Sequence, residues 1–269
     1  MFTIILGLAT GAAVYFSLTY AADMKGAGVI VLAVLSMFLV QLIVMLVLRK
    51  VSAKINNVLQ ATMMETANKL RAMQEQYMRR PVGSQKQMMQ NLEREQNAGL
   101  NRMIEKLDLY KPLYPWNLLM KKQVNTMRML FLFQLKKFDE VDALMPHCLF
   151  FDVQSVCVKM ARMYKRNEEG IDKFFRKKAA KFKGESAVLP YSLYAWILVK
   201  QEKIDDAIKV LNQAKIKTND NEVIIKNWEM LVNNKVKHFS NALLGEQWYA
   251  LMLEEPKMQR QPQQVMRRR

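Results

Sequence analysis

At 269 residues and 31.4 kDa, the chain has room for one or two domains. Its composition is 51% hydrophobic with only 9 Gly and 7 Pro, which excludes collagen-like, low-complexity and turn-rich all-β proteins and is too apolar for a disordered chain. Two Cys exclude a disulfide-framed secreted scaffold, and a net charge of +17 is spread very unevenly along the chain.

Residues 1–22 and 27–48 are two charge-free runs separated by Asp23-Met24-Lys25-Gly26. A helix rises about 1.5 Å per residue and the hydrocarbon core needs about 20 residues, so each run is long enough to cross a bilayer. Lipid offers no partner to an unpaired backbone amide, which makes helix the expected state, and the short break leaves room only for an antiparallel hairpin. Of the 41 Lys and Arg, all but Lys25 come after Leu48, beginning with Arg49, Lys50 and Lys54. The positive-inside rule then predicts an integral membrane protein with both chain ends cytoplasmic, and a bacterial-type cytoplasmic membrane is the favoured setting. An alternative is a signal peptide ending near Thr19-Tyr20-Ala21, although this run lacks a basic n-region. A buried soluble hairpin is the other alternative, disfavoured by the length of the two runs. Gly7 and Gly11 form a small-residue step for close helix packing, either between the two helices of the hairpin or across a dimer. No acidic or basic side chain lies inside either run, which argues against a pump or channel.

Residues 49–110 read as a helical stalk broken near Pro81. Ile55, Leu59, Thr62, Thr66, Leu70, Met73 and Tyr77 fall at spacings close to a coiled-coil seam. Met88, Leu92, Leu100, Ile104 and Leu107 mark a second helical stripe after the break. The stalk can self-associate as a homo-oligomer or fold back on the next domain. Its net charge of +5 also suits anionic lipid headgroups.

Pro112 and Pro115 mark the next boundary, and residues 117–255 read as helices near 117–135, 138–147, 153–166, 168–182, 190–201, 203–215, 221–233 and 235–244. No set of segments alternates with period two, so the class is all-α. Ala195, Leu198, Ile204, Ala207, Leu211 and Ala214 place small and apolar residues where two antiparallel helices would cross. The unit from Tyr191 to Lys215 on these residues resembles a tetratricopeptide repeat. A second unit spans Leu130 to Met145, with Phe138 and Val141 in place of Ile204 and Ala207, and a third is aligned on Gly170. The family's Trp, Gly and closing Pro are mostly missing. The resemblance implies an α-solenoid that holds a peptide or helix of a protein partner, with Met127, Tyr164, Tyr191 and Tyr194 as groove residues. Trp248 and Tyr249 are read as a plug closing the repeat core.

Chemistry-bearing motifs are few. His147, Cys148 and Cys157 lack the clustered partners a zinc site needs, so no metal or other cofactor is expected. Phosphate-cradling, dinucleotide, metalloprotease and nucleophile-elbow motifs do not occur, and no catalytic residue stands out, so the reading is not an enzyme. Lys173, Arg176, Lys177, Lys178, Lys181 and Lys183 make the densest basic stretch, interleaved with Phe174, Phe175 and Phe182. On one helix these give a cationic outer face for anionic lipid or, less favoured, nucleic acid, or a plain solvated face. Residues 256–269 carry five basic side chains and read as a disordered tail. The leading expectation is a membrane-anchored cytoplasmic adaptor. A basic surface for lipid or nucleic acid is the first alternative, and an accessory subunit of a membrane complex the second.

Overall fold

The computed structural model describes residues 2–22, 26–80 and 83–256. The break at Asp23-Met24-Lys25 and the basic tail from Lys257 onward lie outside the described residues. Those described are all-α, with no strand among them, and form two compact units divided between Leu149 and Phe150. The boundary suggested by Pro112 and Pro115 falls inside the first unit.

In the first unit, α1 (Phe2–Phe16) continues through a π-helical turn to Ala21 and packs against the start of α2 (Ala27–Arg79). Gly7 and Gly11 are buried here: a Cβ on Gly7 would come within 3.0 Å of Gln41, and one on Gly11 within 3.3 Å of the Ala33 carbonyl. The small-residue step therefore serves the hairpin's own crossing. Residues on the outer faces, such as Ile5, Leu8, Phe16, Leu35, Phe38, Leu39 and Ile43, are exposed apolar side chains. A core helix of a water-soluble protein would bury them. Both helices are long and apolar enough to cross a membrane.

The second helix does not stop where charge begins. Its 53 residues run unbroken from Ala27 to Arg79, about 80 Å at about 1.5 Å per residue. Nothing between Leu48 and Arg79 is Gly or Pro, so no local signal ends the helix. After the break, α3 (Gln85–Lys106) starts at Ser84, whose side chain accepts the Gln87 amide at 3.2 Å. It folds back along α2. Every seam residue expected from spacing, Ile55 through Tyr77, is at least half-buried, against exposed flanks. The partners are in the same chain, α3 along most of the seam and the segment after it at Ile55 and Leu59, so the seam is filled without a second copy. Thr66 and Gly99 are buried at the closest approach, where a Cβ on Gly99 would collide with Thr66 Cγ2.

The chain then turns through a 3-10 segment (Leu107–Leu113) into α4 (Met120–Gln134) and α5 (Phe138–Leu144). Leu107, Tyr110, Leu113, Met120 and Val124 join Ile55 in one apolar cluster, with the Tyr110 hydroxyl donating to Asn56. That cluster draws residues 107–124 into the stalk unit. The segment also closes the open end of the apolar N-terminal hairpin. The Phe2 amide donates to the Pro115 carbonyl at 3.0 Å, the Thr3 hydroxyl to Trp116 O at 3.3 Å, and the Phe2 and Trp116 rings meet edge-on at 5.6 Å.

The second unit holds α6 (Val153–Lys165), α7 (Ile171–Lys177), α8 (Glu185–Lys200), α9 (Ile204–Lys217), α10 (Glu222–Val232) and the short α11 (Glu246–Tyr249). A local turn recurs along the chain. The helices α4, α6, α8 and α10 each end in a left-handed residue: Lys136, Asn167, Glu202 and Asn234, with φ of 59°, 53°, 60° and 57°. In each the following amide reaches back five residues, from Lys137 to Leu132, Glu168 to Met163, Lys203 to Leu198 and Lys235 to Met230. This is a Schellman stop, which uses up end carbonyls and reverses the chain. The helices α5, α7 and α9 then begin at Phe138, Ile171 and Ile204, two steps of 33 residues. On this register the residue matching Val141 and Ala207 is Phe174. Gly170 instead immediately precedes α7 at φ 86°, level with Lys137 and Lys203 before α5 and α9, and the stretch from Asn167 to α7 is two residues longer than its counterparts.

Candidate functional site

A cleft of about 370 Å³ opens in the second unit between the end of α6, the Gly170 turn and α8. Tyr164, Asp172, Tyr194, Leu198, Gln201 and Lys203 are among its walls. The Schellman stop positions it, because turning the chain sharply after α6 brings Glu168, Glu169 and Asp172 to the rim. Tyr194 donates its hydroxyl to Asp172 Oδ1 at 2.7 Å, and Arg176 holds the same carboxylate at 3.0 Å and 3.1 Å. Burial, then the bond to Asp172, push the Tyr194 hydroxyl well above the usual phenol range. It stays a neutral donor near neutral pH, unsuited to act as a base. Below the hydroxyl, the ring stacks on Phe175 at 4.0 Å. Tyr164 meets Trp196 edge-on at 5.1 Å. The Trp196 indole in turn donates to Glu254 Oε1 at 2.8 Å.

Of the expected groove residues, the half-buried Tyr164 and Tyr194, itself only 5% exposed, line this cleft. Tyr191 is 1% exposed and packs edge-on against Phe175, so it belongs to the core beneath. Met127 is in the other unit, half-buried against the cluster around Val124. The methionines Met120, Met129, Met160 and Met163 are likewise buried as core.

The expected crossing residues come together. Ala195, Leu198, Ala207, Leu211 and Ala214 are all buried where α8 and α9 pair, and Ile204 is half-buried at the start of α9. The basic stretch does not form one helix. The helix ends at Lys177, Lys178 turns the chain, and a 3-10 turn covers Ala179–Lys181. Phe175 is buried and Phe174 and Phe182 are half-buried. Arg176 is tied to Asp172, and Lys178 lies 4.6 Å over the Phe151 ring. Lys173, Lys177, Lys181 and Lys183 remain exposed. Trp248 is fully buried and Tyr249 half-buried at the end of the unit. Trp248 sets its indole N–H on Glu254 Oε2 at 2.9 Å.

Two buried features left no mark in the sequence pattern. Asn241 donates to the Ser192 carbonyl at 3.0 Å and accepts from Asn227 at 2.8 Å, and Asn227 accepts the Ser240 amide at 3.1 Å. Glu254 bridges two indoles from beyond the last helix. Both depend on partners 6 to 58 residues away, which no local spacing announces.

Among the described residues no group of three or more His, Cys, Asp and Glu could hold a metal ion. Cys148 and Cys157 are free and buried, and burial raises the Cys157 thiol far above its ordinary range. A maleimide at pH 7.5 should therefore label neither thiol in the folded chain within minutes and both in denaturant. Rapid native labelling of Cys157, counted by intact mass, would show that this core is open. The chain matches no protein-family model, no curated protein and no solved structure.

Proposed function

We propose that the chain is a membrane-anchored, non-enzymatic adaptor that holds a protein partner at the cleft beside Tyr164 and Tyr194. The supporting observation is the recurrent helical hairpin, with the same left-handed stop at Lys136, Asn167 and Glu202 and second helices stepping by 33 residues. A period of this length is what tetratricopeptide-like arrays use, and such arrays present clefts to peptides. The cleft has aromatic walls, a carboxylate rim and a Lys, but no nucleophile beside a base, which suits binding rather than bond cleavage. The anchor is the apolar hairpin, and the cations beginning at Arg49 favour the cytoplasmic side for the rest of the chain.

A second reading rests on the exposed Lys173, Lys177, Lys181 and Lys183, which suit anionic lipid or, less well, nucleic acid. Photo-crosslinking amino acids at three positions separate the readings. A single protein adduct from position 164 supports the adaptor. Adducts from position 177 that vanish with added salt or nuclease support the basic surface. A discrete protein adduct from Leu35, exposed on the hairpin, would make the chain an accessory subunit of a membrane complex.

A further inference from the structure

The first unit contains a larger cleft, about 560 Å³, where the membrane hairpin meets the loop after Leu113. Its volume lies within the range of small-molecule sites, about 300–1,000 Å³. The walls change character along the hairpin. Ile4, Met45, Leu48 and Trp116 are apolar walls, Gln41 adds a neutral amide, and Arg49, followed by Ser52, is the one charged residue of the lining. Leu48 is the last residue of the charge-free run and Arg49 the first cation, so the polarity changes where the hydrocarbon gives way to headgroups. Trp116 sits at that level, held there by the Phe2 and Thr3 bonds to residues 115 and 116. Trp favours that zone of a bilayer. Leu118 and Leu119, next along, are 57% and 50% exposed. In water such a pair is costly, whereas beside lipid it is not.

Arg49 has no carboxylate partner among the described residues. The sequence has no acid from Gly26 to Met64, and Asp108 is already engaged by Lys111 and Arg128. A guanidinium lining a mostly apolar slot matches one ligand class: an anion carrying a long apolar chain, aligned with the bilayer.

We propose that this cleft is a site for one anionic phospholipid of the adjacent leaflet, its phosphate on Arg49 and an acyl chain along Ile4, Met45 and Trp116. The bound lipid would pin the 113–119 loop to the hairpin and fix the height of the stalk above the membrane. The inference rests on the membrane-anchored reading, so carbonate extraction of membranes holding the full-length chain comes first. Release into the supernatant would overturn the anchor and the lipid site together.

If the chain stays in the membrane fraction, the full-length protein in mild detergent is titrated with phosphatidylglycerol and phosphatidylcholine of identical chains, and retained lipids are counted by native mass spectrometry. The wild type should retain one phosphatidylglycerol with about a tenfold preference, because both lipids offer a phosphate to Arg49 but the choline cation of phosphatidylcholine offsets its charge. Arg49→Gln should lose that preference. Its topology is protected because Lys50 and Lys54 remain. Lys54→Gln, five residues further along α2 and not a wall of the cleft, should keep it. Equal retention of both lipids, or equal losses in Arg49→Gln and Lys54→Gln, would overturn the site and leave the anchor standing. Thermal melting of both variants at the wild-type temperature confirms that the lost preference is not misfolding.

Discussion

Trp248→Ala should lower the stability of the second unit by about 3–5 kcal/mol, on the order of 10 °C in melting temperature. Trp248 is fully buried, meets Trp196 edge-on at 5.6 Å, and donates to Glu254. Removing it leaves a cavity the size of an indole. It also takes one of two donors from a carboxylate that is only partly exposed. Trp248→Phe keeps most of the apolar volume and loses the donor, so its cost should be about 1–3 kcal/mol. Trp228→Ala is the control. That ring is only half-buried, with Lys215 4.0 Å over its face, and its loss should cost about 1–2 kcal/mol. Thermal unfolding of the full chain in detergent, followed by near-ultraviolet circular dichroism, gives the order. If Trp248→Ala and Trp228→Ala melt together, the end of the unit is not a closing plug.

Gly99→Ala should cost about 1–3 kcal/mol, although alanine is the better helix former by about 1 kcal/mol. The added methyl would collide with Thr66 Cγ2 and sit 2.6 Å from Thr66 Oγ1, so α2 and α3 would have to separate. Thr66 also accepts from Arg102 at 3.4 Å, and Arg102 pairs with Glu95 at 3.0 Å, so separation disturbs that link as well. Thr66→Ala should partly rescue Gly99→Ala, because both crowding atoms beyond Cβ leave with it. A double-mutant cycle should show favourable coupling of about 1–2 kcal/mol. Additive effects would mean that the helices do not cross at this pair. A rise in oligomer size for Gly99→Ala, read by light scattering, would show the freed seam finding a second copy.

The seam on α2 was legible because coiled-coil spacing is a local property: residues three or four apart share one face of a helix. Ile55 through Tyr77 all turned inward for that reason. The small residues of α8 and α9 were legible on the same grounds, since Ala195, Ala207 and Ala214 are what two helix backbones need to approach. The middle hairpin was harder. Gly170 stands 29 residues after Val141 and 37 before Ala207, uneven spacings for an equivalent position; the 33-residue step sets it level with Lys137 and Lys203 instead, and only backbone geometry shows where the stop lies. The cleft beside Tyr164 was half legible. Aromatic residues on one helix stripe can line a groove or fill a core, and spacing treats Tyr191 and Tyr194 alike. Phe175 separates them, stacking on one and covering the other.

The sequence by itself determined the apolar hairpin, the all-helical class and the inward faces of most helices, because these arise from charge and periodicity within a few turns. Tertiary structure alone decided what each face meets. It set α3, not a second copy, against α2 at Thr66 and Gly99. It brought Pro115 and Trp116 to Phe2, and Glu254 to Trp196 and Trp248. Such pairings depend on chain reversals and on which loops can close, and those free energies belong to the whole fold rather than to any window of residues.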